Sequence, residues 1–266
     1  MSNILQKMNE LLSEGERFAV ATVIKAEGST PRAVGAKMIV REDGSIFDTI
    51  GGGKVEYLVI SEALKVLEEK KPRVIRYVLD AKDAASIGMI CGGSMEILIE
   101  PVEPKPTLFI VGAGHIALPL AKLGQMTGFT VAVLDDRKEF ANVERFPTVE
   151  KVICGDIEST LSKTKITSST YIVIVTRGHQ YDLEALKSVI NSKAAYIGMI
   201  GSKTKVSTAF QELRGMGIPE DRLKQVHAPI GLDIGAETPE EIAVSIIAEI
   251  IKVRRGGTGE ELASKG

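Results

Sequence analysis

The chain has 266 residues, 44% of them hydrophobic and 26% charged, which is enough for two modest domains that each bury a core. A formal net charge of -2 without any long Lys/Arg block gives no general attraction to nucleic acid or to an anionic membrane, and neither is an expected partner. Two cysteines, no apolar run long enough to cross a bilayer and no secretory signal at the start make the cytoplasm the expected compartment.

In chain order, Ile4, Leu5, Met8, Leu11 and Leu12 recur at helical spacing and predict an opening helix. Its apolar surface is the reason to expect a homodimer. AVATVI and AKMIVREDGSIFDTI read as strands, the latter turning at Glu42-Asp43-Gly44. Val55, Leu58, Val59, Ala63, Val66 and Leu67 mark a second helix, and RVIRYVL and SMEILIEPV return to strand. Together these predict an α+β domain with a mixed sheet over residues 1–103. Three prolines between Glu100 and Pro106 keep the backbone extended and exclude helix, so the segment reads as a linker.

Beyond it, short apolar strands alternate with helices: LFIV, a helix to Gly128, TVAVL, KVIC, a helix, YIVIV, a helix, AYIGMI, a helix over about 203–214, QVHA and a last helix from about 239. That rhythm predicts a Rossmann-like, doubly wound parallel sheet over residues 104–256, with strand order 3-2-1-4-5-6. Thr238 as N-cap, Pro239 and Glu241 form a start signal for the last helix. The polar, glycine-rich residues 257–266 read as a flexible tail.

Gly112-Ala-Gly114-His115-Ile-Ala117 follows a strand and opens a helix, the context of a dinucleotide fingerprint. The first glycine permits a tight turn, the second lets a pyrophosphate approach, and the helix end supplies N–H groups. Asp135, about 20 residues on, is placed to accept from a ribose hydroxyl, with a capping acid as the plainer alternative. Arg137 beside it reads as one half of a surface ion pair.

His115 and His179 follow strands that neighbour each other at the switch point, so both are expected at the crevice, and His227 lies in the sixth strand. Thr176-Arg177-Gly-His179 and Gly201-Ser202-Lys203 add donors at the same edge. A structural hydrogen bond at a strand end is the plainer alternative for each histidine. No Cys-x-x-Cys or His-x-x-x-His spacing supports a structural zinc site, and no Gly-x-Ser-x-Gly elbow supports a nucleophilic serine.

The first half holds three further unusual blocks: Gly28-Ser-Thr-Pro-Arg32-Ala-Val-Gly-Ala-Lys37, Ile50-Gly51-Gly52-Gly53-Lys54-Val-Glu56 and Gly88-Met-Ile-Cys91-Gly92-Gly93. The second precedes a helix and can offer N–H groups to an anion. In the third, glycines flank a thiol able to reach a soft metal, whereas Cys154, among Val152, Ile153 and Gly155, reads as structural.

GSTPRAVGAKMIV, DGSIFDTIGGGKVE, GMICGGSMEILIEP, IVGAGHIALPLAKL, IVTRGHQYD, YIGMIGSKTK and HAPIGLDIGAETPEEIAVSIIAEI resemble the signature blocks of the XdhC/CoxI family, and the resemblance runs through nearly the whole chain. It implies an accessory protein, a chaperone rather than a catalyst, that binds molybdenum cofactor and delivers it to a molybdenum hydroxylase such as xanthine dehydrogenase, with a sulfurtransferase as a further partner. It points to Arg32, Gly51, Gly52, Gly53, Cys91 with its neighbour Gly92, Gly112, Gly114 and His115 for holding the cofactor, with Cys91 near the metal. Asp135, Arg177, His179, Ser202 and Lys203 complete the expected set. One departure is Phe47-Asp48, where the resemblance leads one to expect a small residue and a glycine. The alternative reading is an NAD(P)-dependent oxidoreductase that uses Gly112, Gly114 and Asp135 for the nucleotide and His179 or Arg177 beside the nicotinamide.

Overall fold

A computed structural model describes residues 2–78 and 93–265. The chain divides into two compact units, residues 1–104 and 105–266.

The N-terminal unit runs α1 (Ser2–Ser13), β1 (Phe18–Glu27), β2 (Lys37–Arg41), β3 (Ile46–Phe47), α2 (Gly53–Glu69), β4 (Arg73–Val78) and β5 (Ser94–Val102). Its sheet has the order β3-β2-β1-β5-β4, and every pairing in it is antiparallel. The expected mixed sheet is thus corrected. The α2 crossover, the feature that suggests a parallel pair, carries the chain from one edge strand to the other, and three strands separate its ends. Because side chains alternate along a strand, Ala19, Ala21, Met38 and Val40 meet Val55, Val59, Ala63 and Val66 of α2. On the other face Phe18, Val20 and Ile39 meet Ile4 and Leu11 of α1. The α1 stripe offered by the sequence as a surface for self-association is therefore spent inside this unit, with Leu5 left 60% exposed. β5 also continues into the proline segment, where Pro101 lies opposite Ala19.

The C-terminal unit runs β6 (Thr107–Val111), α3 (Ala117–Met126), β7 (Thr130–Asp135), β8 (Lys151–Cys154), α4 (Ile157–Lys163), β9 (Thr170–Ile174), α5 (His179–Val189), β10 (Tyr196–Met199), α6 (Lys203–Gly215), α7 (Glu220–Leu223), β11 (Val226–His227) and α8 (Pro239–Arg255). The sheet order β11-β10-β9-β6-β7-β8 is wholly parallel and is the doubly wound order expected. Strand residues alternate between two cores: Leu108 and Ile110 pack with α3 and α8, Phe109 and Val111 with α4, α5 and α6. Burial on both faces is why these strands read as unbroken apolar runs. Thr238 and Glu241 close a capping box with Pro239 at the first helical position. In the segment expected to be a tail, Leu262–Lys265 forms a short 3-10 turn. No helix among the described residues is long and apolar enough to cross a membrane.

Candidate functional site

In the C-terminal unit, β6 and β9 are neighbours, and the loops after them meet at the carboxyl edge of the sheet, where open α/β folds bind ligands. Gly112 has φ 104°, and a Cβ there would stand 2.4 Å from the Val175 carbonyl oxygen. The first glycine is thus demanded by packing against the end of β9. A Cβ on Gly114 would meet nothing within 4 Å, so the second leaves open space at the N-terminal end of α3.

The turn is gripped at Ala113. Its N–H donates to Asp135 Oδ2 at 2.7 Å, and its carbonyl accepts from Arg145 Nη2 at 3.2 Å. Asp135 is 3% exposed. Its Oδ1 accepts from Arg137 N at 3.0 Å and Arg137 Nε at 2.8 Å, and its Oδ2 also accepts from Arg137 Nη2 at 2.9 Å. Four donors fill the four lone-pair positions of a carboxylate. In this structure the acid shapes the turn, with its lone-pair positions taken by donors of the chain itself. Burial pushes this carboxyl up, but Arg137 and the two N–H groups outweigh it and hold it at about 2, against an ordinary 3.8. The Arg137 guanidinium lies 3.8 Å from the Phe140 ring centroid, with Arg145 at 5.0 Å from the same ring.

Asp136, the next residue, takes a bidentate fork from Arg177 at 2.5 and 2.8 Å, which ties the end of β7 to the loop after β9. The Arg177 guanidinium also stacks on Tyr181 at 3.9 Å. His115 is exposed in the glycine turn. His179 is the first residue of α5; its buried Nε2 has no hydrogen-bond partner among the described residues and lies 3.8 Å from Glu212 Oε1. Ser202 caps α6 by accepting from Lys205 N at 3.3 Å, and Lys203 begins that helix, exposed. The N-terminal ends of α3, α5 and α6 thus share one sheet edge. His227 is used differently: its Nδ1 lies 3.2 Å from Glu249 Oε1, and its ring stacks on Tyr196 at 4.5 Å. Glu249 also accepts from Tyr196 OH at 2.6 Å and Gly231 N at 2.8 Å. Burial pushes Glu249 up, and these three partners bring it down to about 2. Cys154, expected to be structural, is exposed, its thiol 3.8 Å from the Asp136 carbonyl oxygen.

In the N-terminal unit the glycine-rich blocks converge. Gly51 has φ 132°, and a Cβ there would come within 2.6 Å of Pro31 and 3.6 Å of Arg32 Cγ. A Cβ on Gly93 would fall 2.4 Å from the Ser29 carbonyl oxygen. Cys91 and Gly92, next along the chain, lie outside the described residues. Gly52 N donates to Glu56 Oε2 at 3.2 Å and Gly51 N to Thr49 Oγ1 at 3.0 Å, while Thr49 Oγ1 donates to the same Glu56 oxygen. Two of the N–H groups expected to await an anion are therefore already satisfied from within, and Gly53 opens α2. Arg32 is exposed at a cavity of about 490 Å³ that Asp48 also lines. Among the described residues no group of three or more His, Cys, Asp or Glu could hold a metal ion.

Sequence reasoning missed Arg145, Asp136 and Glu56 as parts of these turns. Glu56 had a signal, an acid in the first turn of a helix that starts on glycines. Arg145 had none, since its partner is a backbone carbonyl 32 residues away.

A model of the XdhC Rossmann domain matches residues 108–250, and a model of the XdhC and CoxI family matches residues 11–78. The chain is 37% identical over 258 residues to the uncharacterized protein YqeB of Escherichia coli, covering 97% of this chain and 47% of YqeB, so it spans about half the length of that relative. It is 26% identical to a probable xanthine dehydrogenase component of Bacillus subtilis, over 96% of this chain and 98% of that one. It is 23% identical to the molybdenum cofactor insertion chaperone PaoD of Escherichia coli, over 94% of this chain and 88% of PaoD.

Proposed function

The chain belongs to the XdhC and CoxI family, and on that premise we propose that it is an accessory factor that binds molybdenum cofactor and passes it to a molybdenum hydroxylase of the xanthine dehydrogenase type. The observation that carries the reading is similarity to a molybdenum cofactor insertion chaperone over 94% of this chain.

The residues present fit a phosphate-bearing ligand. Gly114 and Gly178 border open space at the N-terminal ends of α3 and α5, where N–H groups and the positive ends of the helix dipoles favour an anion. Arg177 places a positive charge at this edge, although its fork is engaged by Asp136, so a phosphate would have to compete with that carboxylate. His115, exposed between the glycines and α3, lies within the same turn. When bound, the cofactor supplies the molybdenum centre that the client enzyme uses. The part of this chain is to hold the anionic tail and keep the turn open. Against the oxidoreductase reading, Asp135 is already engaged by donors of the chain itself.

The test is to purify the chain from cells that make the cofactor, measure bound pterin and molybdenum, and add it to apo xanthine dehydrogenase. The expected result is a loaded protein that activates the client. An empty protein that also fails to activate overturns the reading. Calorimetry with NAD and NADP is expected to show no binding, and tight binding of either would restore the oxidoreductase alternative.

A further inference from the structure

We propose that the cavity of the N-terminal unit binds a flat heterocycle through its 2-amino-4-oxopyrimidine edge, with the Asp48 carboxylate as the acceptor. The inference rests on the cofactor-binding reading and deepens it, because that edge belongs to pterins. Guanine carries it too.

The cavity measures about 490 Å³ and is lined by Ile4, Leu5, Arg32, Val34, Lys37 and Asp48, among others. That volume lies in the range of small-molecule sites, roughly 300–1,000 Å³. Its walls are apolar where a ring face would lie: Val34 and Leu5 are 58% and 60% exposed, aliphatic surface that a flat ligand would cover. Polar groups are few and distinct. Lys37 Nζ donates to Thr22 Oγ1 at 2.8 Å and keeps its charge and two further N–H donors. Among the described residues neither it nor Arg32 nor Asp48 has an ion-pair partner, so two cations and one carboxylate line the same cavity.

Asp48 is the unusual member. It sits at φ 63°, a left-handed conformation that Asp adopts more readily than most non-glycine residues, at the position where the family resemblance leads one to expect glycine. Its Oδ1 accepts the Thr49 N–H at 2.8 Å, which steadies the carboxylate. Each oxygen retains a lone pair, so the group can take two parallel N–H bonds from an amino group and the adjacent ring N–H. A carboxylate suits that donor pair as it suits the fork of a guanidinium. Arg32 is then the cation for an anionic substituent on the ring.

The experiment titrates the full chain into neopterin and follows fluorescence anisotropy, which is clean because the chain contains no tryptophan. Guanosine and cytidine are the competitors. Neopterin is expected to bind and cytidine not to compete. Competition by guanosine shows that the edge alone is read, and failure of guanosine to compete assigns the site to pterins. Asp48→Asn keeps the shape, tolerates positive φ and removes one acceptor; at least a tenfold loss of neopterin affinity is expected, with the melting temperature unchanged. Val34→Phe fills the cavity from an exposed position, is expected to abolish binding, and decides the matter if the first variant folds poorly. No neopterin or guanosine binding at up to about 1 mM, or equal binding to the wild type and both variants, overturns the proposal. Molybdenum content of the same wild-type preparation separates the two failures: a loaded chain that ignores neopterin loses this site and keeps the proposed function, whereas an empty chain that binds neopterin keeps the site and loses the function.

Discussion

The Ala113 N–H and the Asp135 carboxylate, 2.7 Å apart across 22 residues, fix the shape of the glycine turn from the end of the neighbouring strand. The acid that a fingerprint reading assigns to a ligand is the acid that builds the turn.

Acid stability follows from this pair and from Glu249. Both carboxyls are held at about 2 in the folded chain, against ordinary values of 3.8 and 4.5. A lowered carboxyl contributes stability above its unfolded value and loses it as pH falls toward the folded one. Stability is therefore expected to be level above about pH 5 and to fall between about pH 4.5 and pH 2, by about 2 to 3 kcal/mol for each group. Urea unfolding of the wild type, Asp135→Asn and Glu249→Gln across that range checks it, and each variant should show a flatter pH dependence.

The two glycines of the turn should separate folding from binding. Gly112→Ala places a methyl 2.4 Å from the Val175 carbonyl oxygen at φ 104° and is expected to destabilise the chain by more than about 2 kcal/mol. Gly114→Ala meets no protein atom within 4 Å and should melt within a few degrees of the wild type. It should nevertheless retain less cofactor when purified from cells that make it. Melting curves and bound-pterin assays on the pair decide the point.

The Asp136–Arg177 fork offers a gain-of-binding test. Both side chains are about one-third exposed, so the pair should contribute less than about 1 kcal/mol to stability. Asp136→Asn frees the guanidinium and is expected to raise affinity for a phosphate-bearing pterin severalfold. Arg177→Ala should lower that affinity, and calorimetry with both variants reads the difference directly.

Cys154 is exposed, and its thiol should react with a disulfide reagent in the native state. In a Cys91→Ser background one equivalent is expected to react without denaturant, and Cys154→Ser should abolish that signal.

The C-terminal sheet was legible because its inner strands β6, β7, β9 and β10 are buried on both faces and so appear as short apolar runs between turn residues. The capping box at Thr238 and Glu241 was legible because it is local. What escaped was set by partners distant in sequence. The antiparallel N-terminal sheet depends on α2 spanning the whole sheet. The fate of Asp135 depends on the Ala113 N–H, 22 residues earlier, and that of His227 on Glu249, 22 residues later. Residue types along a chain predict which groups can meet, and packing decides which do.

Both glycine-rich turns are braced by carboxylates of the chain itself, Asp135 at Ala113 and Glu56 at Gly52. Each loop is thus rigidified before any guest arrives. Under the proposed cofactor-binding role, capture would carry little of the entropic cost of ordering a loop.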